Sequence, residues 1–219
     1  MSSEVELVNR AYAQIGQSVV LTTLSDSSAV AQNGKIAYER ARDYILNTHS
    51  WTFSRRRVAP ALLASNISQY SFAYALPYDY NQIIALFGLY DSADFQSNTN
   101  YNKIRVEQQS ELLINDYTIE LYSENSQAIF TNAEDVVLYY TAKVTDPNLF
   151  NECLKEAIVF GTAENLLGVT VGGSQAIQQA TLFRRERDYQ VSKALSVDMM
   201  QDRRSQNTWS PAYQARFMP

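Results

Sequence analysis

The spacing of the apolar residues changes twice along this chain. In residues 3–48 they recur every three or four positions, in 51–145 they tend to alternate, and in 146–202 the helical spacing returns. An α-helix repeats every 3.6 residues and a strand every two, so helices should flank a β-rich segment. The sequence therefore predicts an α+β fold that is mainly helical, namely a helical bundle with an inserted small antiparallel β unit.

Four segments follow from this pattern: N-terminal helices of the bundle in 1–50, a β-rich insertion in 51–145, a long C-terminal helical hairpin in 146–202 and an extended C-terminal arm in 203–219. The third and fourth helices follow one another closely, which favours an antiparallel hairpin. The last segment loses the helical periodicity, so we expect it to leave the bundle.

Local signals set the ends of the four predicted helices, which cover 3–15, 28–48, 149–169 and 174–202. Ser3 and Glu6 form a capping-box pattern at the start of the first helix, and Gly16 follows its end. Asp146 is a good N-cap and Pro147 suits the first helical position, so the third helix should begin cleanly there.

Several stretches of the middle segment are typical of strands, namely 51–58, 70–76, 82–90, 117–122 and 134–142. They are alternating or continuously apolar. The polar stretch 91–102 indicates a loop or a hairpin tip.

Charge is distributed unevenly over a chain whose formal net charge is −5. Between positions 61 and 146 there are 11 acidic residues and 3 basic ones. Tight nucleic-acid binding needs a basic face, so this balance argues against that class of function. The acidic middle is either an ordinary solvated surface or a surface that repels DNA passing nearby.

The 15 tyrosines are a hint of protein–protein assembly, because tyrosine is enriched at interfaces.

Cysteine content and hydropathy indicate the kind of cellular compartment in which the protein assembles. The single cysteine, Cys153, excludes a disulfide framework and speaks against a thiolate metal site, which fits assembly in a reducing compartment. The first residues lack a basic region followed by an apolar stretch, so no signal peptide is expected. No apolar run approaches the roughly 18–20 residues that span a bilayer, so no membrane partner is expected either.

Residue types that carry catalysis are sparse. The only histidine, His49, ends a helix next to Trp51, where a packing role is expected. Two carboxylate pairs, Glu134 with Asp135 and Glu152 with Glu156, could in principle act as the acid and base of a hydrolase. Such pairs are also common on any acidic surface. We therefore predict that the protein is not an enzyme and needs no cofactor or metal.

Two basic clusters stand out, and their members are Arg55, Arg56, Arg57, Arg184, Arg185 and Arg187. Ion pairing within a helix or between subunits is one explanation, and contact with DNA is the other. We take these six arginines as candidate intersubunit contacts.

The last segment combines charge with aromatic residues, and its candidate docking residues are Arg203, Arg204, Trp209, Pro211, Tyr213, Arg216 and Phe217. A tail that must only be soluble does not need three aromatic residues. The segment is therefore either a docking arm or a frayed terminus.

Three stretches resemble one protein family. They are Glu6-Leu-Val-Asn-Arg-Ala-Tyr-Ala-Gln-Ile-Gly-Gln-Ser18, the helix that contains Ala41-Arg-Asp-Tyr-Ile-Leu and ends in His49-Ser-Trp-Thr-Phe53, and Tyr74-Ala-Leu-Pro-Tyr-Asp-Tyr80 leading into Ile83-Ile-Ala-Leu. The first two are similar to the opening helices of the podovirus head-to-tail adaptor and tail tubular protein A family. The third resembles the family's leucine-proline-x-aspartate motif before a strand.

The resemblance implies a structural virion protein at the portal–tail junction, made in the host cytoplasm. Copies of it would form a ring, expected to be a dodecamer, beneath the portal protein. The ring would extend the DNA channel and receive the tail nozzle, a tail tubular protein B-like partner, and the tail fibres. Double-stranded DNA would pass through the lumen without specific binding. Residues 203–219 would be the portal-docking arm, and the β unit with the 91–102 loop would face the tail.

Two other functions remain compatible with the sequence. One is a virion-associated peptidoglycan hydrolase, for which the carboxylate pairs would be required. The other is a head-completion protein of the siphovirus type, which is close to the adaptor in function.

Overall fold

A computed structural model describes residues 3–67, 69–90, 103–106, 109–170 and 174–201. The contacts divide the chain into two compact units. The helical unit is formed by Met1–Phe53 and Thr145–Pro219, and the β unit by Ser54–Val144.

The described part of the helical unit contains four α-helices: α1 Glu4–Gln14, α2 Ala29–Leu46, α3 Glu152–Thr170 and α4 Ser174–Gln201. Short 3-10 turns cover Thr52–Ser54 and Pro147–Leu149. The Ser3 Oγ accepts a hydrogen bond from the Glu6 N–H (3.2 Å), which confirms the predicted cap of α1. After α1 the backbone turns at Gly16 with a φ of 77°, a conformation that glycine adopts without strain.

The start of α3 lies later than predicted. The Asp146 side chain accepts from the Asn148 N–H (2.9 Å) and so caps the 3-10 turn Pro147–Leu149. The α-helix itself begins at Glu152, where the Asn151 side chain accepts from the Leu154 N–H (2.8 Å). Two caps in succession therefore separate the proline from the helix.

α3 is the centre of the helical unit, since it contacts α1, α2 and α4. Its fully buried apolar residues are Leu154, Ala157, Ile158, Val159 and Ala163. They point in all directions around the helix axis, as is typical of a helix covered on every side.

Small residues allow α2 to pack closely on α3. A Cβ added at Gly161 would lie 3.2 Å from the Ala41 Cβ, which is tighter than ordinary contact. Beside this approach, the Asn165 Nδ2 donates a hydrogen bond to the Ala37 carbonyl (3.1 Å). The backbone carbonyl of α2 thus gains a partner at the point where the two helices meet.

α3 and α4 run antiparallel. The rings of Phe160 and Phe183 lie 6.1 Å apart, and Glu164 bonds to Arg184 and Arg187. Because α3 ends at Thr170 and α4 begins at Ser174, two helices that pack on one another in this way form a helical hairpin.

The β unit has nine described strands: β1 Arg55–Val58, β2 Leu62–Ile67, β3 Tyr70–Ala75, β4 Tyr80–Tyr90, β5 Lys103–Val106, β6 Gln109–Ile114, β7 Tyr117–Ser123, β8 Ser126–Thr131 and β9 Val136–Ala142. They form a five-stranded sheet in the order β1-β9-β4-β6-β5 and a four-stranded sheet in the order β2-β3-β8-β7. Every pairing is antiparallel.

One apolar core joins the two sheets. Leu86, Leu138 and Tyr140 of the five-stranded sheet cluster with Tyr74 and Ile129 of the four-stranded sheet. Alternate residues of β9 supply this core, as expected for strands that face a second sheet. The β unit is therefore a sandwich of two antiparallel sheets.

The prediction of a mainly helical bundle with a small β insertion is wrong. The fold is α+β, and the described residues of the β unit form nine strands in two packed sheets. The strands that prediction missed include Leu62–Ile67 and Ser126–Thr131. Both carry serine with asparagine or glutamine, residues that resemble a turn in sequence, and their strand conformation depends on distant partners. The predicted arm over 203–219 lies outside the described residues.

Candidate interaction surface

A groove of about 550 Å³ runs along the helical unit between α2 and α4, with α3 as its floor. The charged and aromatic side chains that line it are Arg40, Tyr44, Glu164, Arg184, Arg187 and Asp188. Three guanidinium groups therefore share the groove with two carboxylates.

Glu164 occupies the floor of the groove and holds two arginines of α4. Its Oε1 accepts hydrogen bonds from Arg184 Nε (3.0 Å) and Nη2 (2.8 Å), and its Oε2 accepts from Arg187 Nη1 (2.7 Å). The Glu164 side chain is only 13 % exposed, so this carboxylate is well shielded from water. The hydrogen bond and charge of Glu164 raise the pKa of Arg184 above its ordinary value.

Arg187 has further partners. Its guanidinium carbon lies 5.1 Å from the centre of the Tyr44 ring, and its Nη2 lies 2.9 Å from Asp188 Oδ1. With a side chain 13 % exposed, Arg187 fastens α4 to α2 and α3. It is a structural element of the groove wall.

Two other arginines of this region have no hydrogen-bond or ion-pair partner among the described residues. Arg40 on α2 lines the groove and is exposed, and Arg185 on α4 is exposed as well. The groove lining therefore has more guanidinium groups than carboxylates, and Arg40 can receive a further carboxylate.

An apolar stripe runs along the outward side of α4. Leu182, Tyr189 and Met200 are 57 %, 54 % and 76 % exposed. They are seven and eleven residues apart, and at about 100° per residue they lie within about 20° of one direction. Ala194 and Asp198, which are buried, lie on the opposite side. We call Leu182, Tyr189 and Met200 the α4 stripe.

Of the cluster predicted at 55–57, Arg56 and Arg57 make contacts whose partners lie inside the β unit. Arg56 Nη1 donates to Asp79 Oδ2 (2.6 Å), and the Tyr140 hydroxyl donates to Asp79 Oδ1 (2.9 Å). Arg57 lies over the Tyr139 ring, with its guanidinium carbon 5.0 Å from the ring centre. The first cluster thus ties β1 into its sheet, where Arg55 pairs with Thr141 in register.

The second predicted cluster contains two arginines with internal partners and one that is exposed. Arg184 and Arg187 bond to Glu164 in the helical unit, whereas Arg185 is exposed. Contact between subunits stays a prediction for all six arginines, and Arg185 is the one of the second cluster that has no internal partner among the described residues.

His49 packs edge-on against Trp51, with the ring centres 5.2 Å apart. Its Nε2 lies 3.5 Å from Asp198 Oδ2, and the same carboxylate accepts from the Thr52 N–H (3.1 Å) and the Thr52 hydroxyl (2.6 Å). Asp198 is 3 % exposed. No local pattern in the sequence marks Asp198, because its donor Thr52 lies 146 residues earlier in the chain.

The carboxylates considered as a catalytic pair have basic partners. Glu152 accepts from Lys155 Nζ (2.7 Å), which lowers the pKa of Glu152, and Glu156 pairs with Arg10. In the β unit the Tyr74 hydroxyl donates to the backbone carbonyls of Ala133 (3.0 Å) and Glu134. These contacts fix the helix and the turn in which the carboxylates lie.

Within the described ranges, no group of three or more His, Cys, Asp or Glu side chains is placed to hold a metal ion. None of the described helices is both long and apolar enough to cross a membrane. All seven candidate docking residues between 203 and 217, and the 91–102 loop, lie outside the described residues.

Neither a scan against known protein families nor a search of curated proteins finds a match for this chain. The resemblance to the podovirus adaptor family therefore stays a prediction.

Proposed function

We propose that this chain is a structural virion protein, a head-to-tail adaptor whose copies form a ring beneath the portal of a short-tailed bacteriophage. The observation that supports this most is the α4 stripe beside the positive groove of the helical unit. The resemblance of the sequence to the adaptor family supplies the particular setting.

The α4 stripe has the features of a protein-binding surface. Single exposed apolar side chains are common, but here three large ones point in one direction from α4, and with the Lys193 ammonium over the Tyr189 ring (4.5 Å) they form a patch of mixed apolar and charged character. From Leu182 to Met200 the patch extends about 27 Å at 1.5 Å per residue. Tyrosine, methionine and arginine, which lie in or beside it, are enriched at interfaces.

A ring needs two different surfaces on each subunit, because heterologous contacts close only when one patch binds another around an axis. Helices with exposed apolar faces can supply such contacts. The proposal also gives the acidic middle of the chain a role, since like charge would keep passing DNA from binding to it. Portal protein and tail nozzle would then bind at the two ends of the ring.

The test is the mass of the full chain in solution, alone and after mixing with portal rings encoded by the same genome. We expect a complex of portal with many copies of the chain, a dodecamer in the family pattern. A chain that stays monomeric in both samples would contradict the proposal.

A matched pair of variants sharpens this experiment. Replacing Leu182 and Tyr189 by serine should lower the yield of assembled rings, because both side chains belong to the α4 stripe. Ile177→Ser changes a residue of the same helix that is 71 % exposed but points away from the stripe. It should leave assembly unchanged.

A further inference from the structure

The groove and the α4 stripe lie on neighbouring sides of α4. Around the axis of α4, Arg185 lies between Arg184, which lines the groove, and Tyr189 of the stripe, as the 100° step per residue requires. Arg40 stands on the other wall of the groove. We call the surface formed by Arg40, Arg185, Leu182 and Tyr189 the α4 face. It combines two arginines that have no described partner with exposed apolar side chains.

The β unit presents a surface of the opposite character. The hairpin that joins β7 and β8 is exposed throughout residues 120–127. Leu121 is 71 % exposed and Tyr122 is 42 % exposed. Glu120 and Glu124 flank them, and the segment contains no basic residue. We call residues 120–127 the β7–β8 tip.

The position of β7 in its sheet adds a second reason to expect a partner. Within the described part of the chain β7 pairs only with β8, so it is an edge strand of the four-stranded sheet. An edge strand that carries exposed apolar side chains is a surface that another chain can cover.

We infer that the β7–β8 tip of one copy docks on the α4 face of a second copy. The carboxylates of Glu120 and Glu124 would meet the guanidinium groups of Arg40 and Arg185, and Leu121 would pack against the α4 stripe. The contact is heterologous, so each copy offers one partner surface to each neighbour. The inference rests on the proposed ring function and names the surfaces that would make its lateral contacts.

Charge reversal tests the polar half of the contact. Arg40→Glu with Arg185→Glu, or Glu120→Lys with Glu124→Lys, should each raise the dissociation constant between copies about ten- to a hundredfold. Combining the four substitutions restores opposite charges and should return the constant to within about threefold of the wild type. Sedimentation at low and high salt gives the constants, and salt should weaken the wild-type contact.

Two charge changes outside these surfaces are the controls. Lys35→Glu alters α2 on an exposed side chain, and Asp116→Lys alters the exposed turn before β7. Each should leave the dissociation constant unchanged. If they weaken association as much as the face and tip variants do, the effect is one of net charge and the inference is wrong.

Disulfide cross-linking tests the apolar half. In a Cys153→Ser background, one sample carries Leu121→Cys and the other Tyr189→Cys. Mixing them under mild oxidation should produce a covalent dimer of one copy of each, much faster than either sample dimerises alone.

The outcomes separate this inference from the function on which it rests. Rings that form on the portal without the cross-link and without sensitivity to the charge changes would overturn the inference and leave the adaptor function standing. A wild-type chain that never associates, with or without portal, would overturn both.

Discussion

Asp79 and Asp198 are the two buried carboxylates among the described residues, one in each unit. Asp79 accepts hydrogen bonds from Arg56 and Tyr140, and Asp198 accepts from the backbone and hydroxyl of Thr52. A buried carboxylate with its donors in place contributes little net stability, but its partners lose much when it is removed. Both residues therefore hold distant segments of chain in position.

Asp198→Asn should destabilise the helical unit by about 2 kcal/mol, because the amide is a weaker acceptor for the two Thr52 donors. Denaturant unfolding followed by circular dichroism measures the change. Asp188→Asn is the control on the same helix, since the Asp188 side chain is 63 % exposed and should cost less than about 0.5 kcal/mol. Equal costs for the two variants would show that Asp198 has no such role.

Two buried tyrosines should make the β unit sensitive to alkali. Burial and, to a smaller extent, acidic neighbours raise the pKa of Tyr74 to about 12 and that of Tyr140 to about 12. Because the folded pKa lies above the unfolded value of 10.0, the stability contribution is complete below pH 10 and is lost as the pH rises through 12. Urea unfolding at several pH values, with tyrosinate absorbance as the signal, should show this decline.

Tyr140→Phe provides the comparison for the alkaline experiment. It removes one of the two titrating groups, so the decline above pH 10 should become shallower. At neutral pH the variant should lose about 1 kcal/mol, because Asp79 loses the hydroxyl as a donor. An unchanged alkaline profile would mean that Tyr140 is not one of the groups responsible.

Helices and strands that neighbouring residues in the sequence mark, such as the start of α1, could be predicted. Those whose conformation depends on distant partners, such as β8, could not. The start of α1 follows from Ser3 and its neighbours, which the chain carries side by side. Strand β8 has four consecutive buried residues at its end and no alternation, since both of its faces are covered. Nothing in a window of sequence reveals that it pairs with β3 and β7.

The sequence predicts only part of the candidate interaction surface, because the contacts within that surface join residues that are far apart in the chain. The sequence marks Arg184 and Arg187 as charged positions on a helix. Their acceptor, Glu164, lies 20 and 23 residues earlier and reaches them only because the hairpin brings α3 beside α4. The α4 stripe was also missed, since which side of α4 is buried depends on α3.

The contact between α2 and α3 should depend on Gly161. Gly161→Val should destabilise the protein by about 1–3 kcal/mol, because its Cβ would lie 3.2 Å from Ala41 Cβ and 3.5 Å from Ile45 Cδ1. Gly168→Val is the matched control in the same helix, where a Cβ meets nothing within 4 Å, and valine has slightly better helix propensity than glycine. Thermal unfolding of both variants distinguishes crowding from propensity.

For the whole molecule, assembly and stability should be linked. Association of folded copies stabilises the folded state by mass action, so a chain that forms rings has a stability that depends on its concentration. The α4 stripe, which is exposed in the single chain, is the surface through which this linkage should act.

The temperature of half-unfolding should therefore rise when the concentration of the wild-type chain is raised a hundredfold. The Leu182→Ser, Tyr189→Ser double variant should show little rise, and its value at the lowest concentration should be close to that of the wild type. Differential scanning calorimetry across a dilution series measures both. A wild-type midpoint independent of concentration would argue against assembly of the free chain.

The helical unit is discontinuous in sequence, because Ser54–Val144 lies between its two parts. On the ribosome, α1 and α2 emerge long before α3, which packs against both of them in the finished protein. At about 5–20 residues per second the intervening segment takes on the order of ten seconds to synthesise. During that interval the apolar faces of α1 and α2 remain exposed. Its yield in cells should depend on holdase chaperones and on the pace of translation.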